Sequence, residues 1–241
     1  MRLLRASGVA IAVALLTSVV HGAPQAPAQA DADRKVAGGG ITAPGWKGKV
    51  DVGGGNKQGL AITDSKFAPE GGGFRLTTGP AAIYWNPANT AKGDYTVKAT
   101  FREPKQTYSH PHPFGVFIGG NKLDGDQQSF VYCVAYRDGT YVIRQFNGPT
   151  ATTVTRKTPH AAINKAAGPE AEVINEVGWT VKGNRAECVV NGQVVQGFDK
   201  TELVGPGKLE STDGVYGIRV SHNSDAIVTG FGRAKQGSQP F

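Results

Sequence analysis

The chain of 241 residues has one Met and two Cys, and only 19% of its residues are charged. Two cysteines exclude a disulfide-dense scaffold and a four-cysteine zinc site. The modest charge excludes a disordered polyelectrolyte. No run of five or six basic residues occurs, and basic positions do not alternate with aromatics within one segment. The net charge of +7 is therefore spread singly, which argues against a nucleic-acid groove. After residue 20 no stretch is long and apolar enough to span a bilayer, which takes ~20 residues. Gly-x-Ser-x-Gly elbows, phosphate loops and dinucleotide fingerprints are also missing. What the chain has in quantity is glycine, 34 residues alongside 14 prolines. Helix interiors tolerate Gly poorly, so an all-α protein is excluded and a turn-rich β protein is expected.

Arg2 and Arg5 precede an apolar run from Val9 to Val20, broken only by Thr17 and Ser18. A basic start followed by a short apolar run is the layout of a secretory signal peptide, assigned to residues 1–23. Cleavage follows Gly22 or Ala23, or else the Ala28-Gln29-Ala30 site; an uncleaved anchor is the alternative. The mature protein is expected to be periplasmic or secreted. Residues 24–40, rich in Ala, Pro, Gln and Gly, have no hydrophobic period and read as a flexible tether. Residues 41–233 form the folded domain and residues 234–241 a tail.

Within the domain the hydrophobic period is two. Tyr95, Val97, Ala99 and Phe101 point one way, and Thr96, Lys98, Thr100 and Arg102 the other. Similar runs cover Leu60–Phe67, Phe74–Thr77, Ala81–Trp85, Phe114–Ile118, Phe130–Tyr136 and Tyr141–Phe146. Others are Asn175–Lys182, Arg185–Val190, Val194–Phe198, Val215–Val220 and Ala226–Phe231. Asp138-Gly139 and Asn191-Gly192 supply hairpin turns between them. Pro159–Glu172 reads as either a short helix or a loop. Many short strands without βαβ alternation predict an all-β protein: a two-sheet antiparallel β-sandwich of jelly-roll type.

Three segments carry a resemblance. They are Asn175–Val181 with Gly183-Asn184-Arg185 and Val189–Gly192; Gly214–Val220 with Asp225 and Gly230-Phe231; and Gly73–Leu76 before Tyr95-Thr96-Val97. Together they resemble the layout of concanavalin A-like lectin/glucanase sandwiches, shared by laminin-G-like modules and 3-keto-disaccharide hydrolase domains. The resemblance implies a carbohydrate or cell-envelope glycan as partner. It also implies either a non-catalytic lectin-like module or a glycoside or keto-sugar hydrolase. The Glu-x-Asp-x-Glu strand of the glucanases is absent, and Glu170, Glu172 and Glu176 lack the intervening Asp. The Asn-Ser-Gly turn and Gly-Tyr-Glu strand of the keto-disaccharide enzymes are absent too. Binding is therefore the leading reading, with hydrolysis the alternative.

Candidate ligand contacts follow from side-chain chemistry. Sugars stack on aromatic rings and bond to Arg, Asn or His donors, which selects Tyr84, Trp85, Tyr136, Arg144 and Arg219; the alternative is that these aromatics line the core and the arginines face water or are paired. His110 and His112, at i and i+2 in a proline-stiffened stretch, project to one side, and either ligate a metal or bond a sugar, or simply sit at the rim of a strand entrance that the prolines shape. A metal would need a third ligand from the distant His160 or His222. Asn121, Asp124 and Asp126 are either calcium ligands from one loop or ordinary turn residues. Cys133 and Cys188 either form a disulfide or remain two buried thiols.

Overall fold

The computed structural model describes residues 32–52 and 59–234. The expected signal peptide and the tail after residue 234 lie outside these residues. Among the described residues there are fifteen strands. The early ones are β1 (Gly40–Ile41), β2 (Lys47–Val50), β3 (Lys66–Glu70), β4 (Gly73–Thr77), β5 (Ala82–Ala91) and β6 (Tyr95–Glu103). The middle ones are β7 (Phe114–Asn121), β8 (Ser129–Ala135), β9 (Thr140–Asn147) and β10 (Ala151–Pro159). The last are β11 (Val173–Lys182), β12 (Arg185–Val190), β13 (Gln193–Asp199), β14 (Gly214–Val220) and β15 (Asp225–Arg233).

They form two sheets, one ordered β1-β3-β4-β15-β6-β11-β12-β13 and the other β10-β9-β8-β7-β14-β5-β2. Apart from the parallel β1–β3 pair, the ladders are antiparallel. The protein is thus the expected jelly-roll sandwich. Its inter-sheet core includes Phe67, Leu76, Ile118, Ile143, Trp179 and Val220. These residues face inward because alternate strand positions share one side of the pleat. Trp179 spans the core, its Nε1 donating to the Val116 carbonyl at 3.1 Å. Asn191 and Gly192 both have positive φ, 50° and 78°, as a tight hairpin between twisted strands requires.

Three local expectations are corrected and one open reading is resolved. Leu60–Phe67 is not one strand: a 3-10 turn (Ile62–Asp64) precedes β3, because Asp64 and Ser65 bond back to Ala61 and Ile62. Of the two readings of Pro159–Glu172 the loop is the one observed: Pro159 ends β10, and residues 160–172 form turns and bends without a helix. The Thr-rich β10 was not foreseen. Residues 32–40, expected to be tether, are bonded to the sandwich. Arg34 donates from Nε to the Thr78 carbonyl (2.8 Å) and from Nη2 to Ser224 O (2.9 Å) and Asp225 Oδ2 (3.1 Å). The cysteines do pair: Cys133 on β8 and Cys188 on β12 form a disulfide between the sheets, with Cα atoms 6.2 Å apart.

Candidate ligand-binding site

The outer face of the seven-stranded sheet gathers four of the expected ligand residues, Trp85, Tyr136, Arg144 and Arg219. Register places Arg144 opposite Tyr132, Tyr132 opposite Phe117, and Phe117 opposite Gly217, next to Trp85. Arg219 lies one row along the same face. This face is nevertheless a second hydrophobic core, in which Trp85, Phe117, Phe130, Tyr132 and Phe146 are buried together. The loop between β7 and β8 folds across it. Leu123 joins the apolar cluster, Lys47 Nζ bonds Asp124 at 3.0 Å, and Lys49 Nζ bonds the Gly125 carbonyl.

The expected contacts are corrected accordingly. Tyr84 points the other way, into the inter-sheet core, fully buried and stacked 4.8 Å from Phe67. Trp85 is only 3% exposed. Arg219 is 6% exposed and clamps Asp51 with two 2.6 Å bonds, its guanidinium 4.9 Å from the Tyr132 ring. Burial lowers its pKa, but the Asp51 carboxylate beside it outweighs that and raises it. Tyr136 is half-buried and Arg144 is exposed at the β9 end of this face, but Lys157 covers the Tyr136 ring at 4.3 Å. Burial raises the Tyr136 pKa, with Arg144 pulling it down. In the candidate calcium loop each side chain faces a different partner: Asn121 donates to Glu210, Asp124 meets Lys47, and Asp126 lies 3.9 Å from Lys49. His110, His112 and His222 come together at one end of the sandwich, whereas His160 lies against Tyr141.

An open cavity does exist where the sheets part, and sequence reasoning missed it. Pro87 has no N–H to donate, so the β5 ladder cannot continue through it. Between the β14 partners Gly217↔Trp85 and Val215↔Thr90, residues 86–89 bulge opposite Tyr216. The Asn86 side chain accepts from the Ala88 amide at 3.0 Å, fixing the bulge. A second register shift, on β15 between Thr229 and Gly232, displaces Gly230-Phe231. The two bulges face each other across a cavity of about 390 Å³. Its lining includes Trp46, Phe74, Tyr216, Phe231, Asn86 and Asn89.

Trp46 packs against Phe74 and Phe231, with ring centroids at 4.7 and 5.3 Å. Glycines 72, 73, 230 and 232 complete the rim. A Cβ on Gly73 would stand 2.0 Å from the Val228 carbonyl, so only glycine permits this close strand approach. The remaining lining residue is Val228, so among the described residues the lining carries the partly exposed rings of Trp46, Phe74 and Phe231, the buried Tyr216, side-chain amides and backbone groups, and no carboxylate. Bulges commonly re-aim side chains beside functional sites, and a cavity of this size suits one or two sugar rings. The only advance signal was the Asn86-Pro87 interruption of an apolar strand.

Two other places lack this combination of open space and rings. A groove of about 430 Å³ lies on the outer face of the eight-stranded sheet, but its lining has no aromatic ring, and Glu176 there bonds Lys98 at 2.9 Å. Glu103 has the acid-base character an enzyme needs: burial pushes its carboxyl up to about 7, with Arg137 drawing it back. Yet the space beside it is about 10 Å³, room for no more than a water. Arg137 Nη1 holds it at 3.0 Å. Glu103 is therefore a structural group. Its carboxyl is raised from 4.5 in folding, so between these pH values the folded state binds the extra proton. This contribution to stability is present at low pH and is lost as pH rises through 7. Melting curves of Glu103→Gln and the parent from pH 5 to 8 should diverge in that direction; parallel profiles would refute this assignment.

No protein-family model matches the chain, and no curated protein matches it in sequence. Solved structures do match in shape. A carbohydrate-binding module, CBM66 from Bacillus subtilis, aligns with TM-score 0.51 and 10% identity over 79% of this chain and 96% of its own. A Bacillus subtilis protein of unknown function with a galectin-like fold aligns with TM-score 0.51 and 11% identity, over 78% of this chain and 88% of its own. At these identities the likeness establishes the fold. That fold is a two-sheet, largely antiparallel β-sandwich.

Proposed function

We propose that this is an exported glycan-binding module that holds one or two sugar rings in the end cavity between β5 and β15. The observation that carries the proposal is the convergence of two strand bulges on a cavity lined by the partly exposed rings of Trp46, Phe74 and Phe231 and the Asn86 and Asn89 amides. Aromatic faces accept the apolar side of a sugar ring, and amides and backbone groups bond its hydroxyls. A lining without carboxylates supports binding over ordinary glycoside hydrolysis, which needs two acids ~5–10 Å apart. The basic and then apolar N-terminal residues support export, as does the disulfide, which persists in oxidising compartments.

Retention on a panel of neutral and acidic polysaccharides in affinity electrophoresis tests the reading. The protein should be retarded by at least one glycan, and Asn86→Ala with Asn89→Ala should abolish the retardation, whereas Arg144→Ala should not. Failure to bind any glycan, or loss on Arg144→Ala alone, would overturn it.

A further inference from the structure

At the other end of β14 three histidines meet. β14 and β7 are antiparallel with Phe114 opposite Val220, and the pairing runs on, since the Ser221 amide donates to the Pro113 carbonyl at 3.1 Å. Two residues further, this register sets His112 opposite His222, and their ring centroids are 4.3 Å apart. Pro111 and Pro113 restrict the backbone around His112 and favour an extended stretch. His110 therefore falls on the same side, its Nε2 only 3.1 Å from the His112 Nε2. One ring nitrogen from each of the three lies within 4.8 Å of the others.

We propose that His110, His112 and His222 bind a transition-metal dication, with zinc or copper as the class that imidazole nitrogens select. Zn–N bonds of 2.0–2.1 Å in a tetrahedron put two ligand nitrogens about 3.3 Å apart. The 3.1 Å spacing already matches that edge. The shell behind the ligands fits as well. Asp33 Oδ1 lies 2.7 Å from His222 Nδ1, and its side chain is only 4% exposed. A proton held on Nδ1 by this carboxylate leaves the His222 lone pair on Nε2. Such carboxylate–histidine pairs orient metal ligands and raise their basicity. The Asp33 carboxylate behind the imidazoles also brings to the site the negative charge that favours a dication.

The scaffold is rigid. Asn223 Nδ2 donates to the Ala32 carbonyl at 3.0 Å, and its Oδ1 accepts from the Arg34 amide at 2.8 Å. These bonds hold Asp33 against the turn that carries His222. A bound ion would lock together the N-terminal segment, the loop before β7 and the turn after β14.

Equilibrium dialysis of the full, untagged, chelator-stripped chain against zinc chloride, read by elemental analysis, tests the proposal. One zinc per chain is expected, and His160→Ala should not change it. Asp33→Asn should weaken binding about tenfold to a hundredfold, as for other residues behind a ligand. The exposed His110→Ala and the His110→Ala/His222→Ala double variant should lose more. Cobalt added instead should give the strong visible bands of a four-coordinate ion. Uptake well below one per chain, uptake undiminished in the double variant, or a cobalt spectrum like that of the free aqueous ion would each overturn it.

Discussion

Replacing both Cys133 and Cys188 with Ala is expected to remove about 4 kcal/mol of stability and lower Tm by about 8–16 °C. The two residues are 55 apart in sequence, so the bridge closes a long loop and restricts the unfolded chain strongly. Both are fully buried, one on each sheet, so the bond ties together the layers whose contact forms the core. Differential scanning calorimetry of the double variant, and of the parent with and without reductant, would read the effect. A drop in Tm of under about 2 °C would mean that the covalent link contributes little beyond the packing around it.

The second large effect is expected at the ion pair under the seven-stranded sheet. Asp51→Ala leaves the Arg219 guanidinium buried beneath Tyr132 and Phe146 without its counter-ion. Stranding one member of a buried pair costs about 3–5 kcal/mol, because the desolvated charge has lost its compensation. Replacing both members, as in Asp51→Ala with Arg219→Leu, should recover most of that loss, since no buried charge remains. Urea unfolding of the parent, single and double variants checks the contrast. Equal losses in the single and double variants would show that the pair acts through packing instead of charge.

The sandwich was legible wherever one face of a strand is apolar and the other polar. Tyr95–Phe101 alternates without a break and became β6, and Asn191-Gly192 formed the hairpin that its positive φ angles favour. β10 was hidden because Thr152, Thr153, Thr155, Arg156 and Lys157 give an edge strand with no apolar face. β5 runs on past Pro87 because a bulge absorbs the missing donor, and periodicity does not encode that.

Residues 32–40 were hidden for a different reason. They are held by the Arg34 and Asn223 side chains bonding to backbone, which leaves no hydrophobic period to detect.

Sites were less legible than strands, since they depend on which distant residues the ladders align. Tyr84 and Trp85 are adjacent, yet one faces the inter-sheet core and the other the outer cluster. Aromatic character alone could not tell either from a sugar platform. The end cavity needs Trp46, Asn86, Tyr216 and Phe231, which come from four separated segments. His222 joined His112 only through the β7–β14 register, although the pairing of His110 with His112 was visible in the alternation. The disulfide likewise waited on the distance between β8 and β12.

The most direct test of glycan binding in the end cavity uses tryptophan emission. Of the three tryptophans, Trp85 and Trp179 are buried and Trp46 lines the cavity half-exposed. Titration with the glycan that retards the protein should shift the emission saturably. The shift should vanish in Trp46→Phe and persist in Trp85→Phe. A shift that survives Trp46→Phe, or saturable binding with no change in emission, would place the glycan elsewhere and contradict the account.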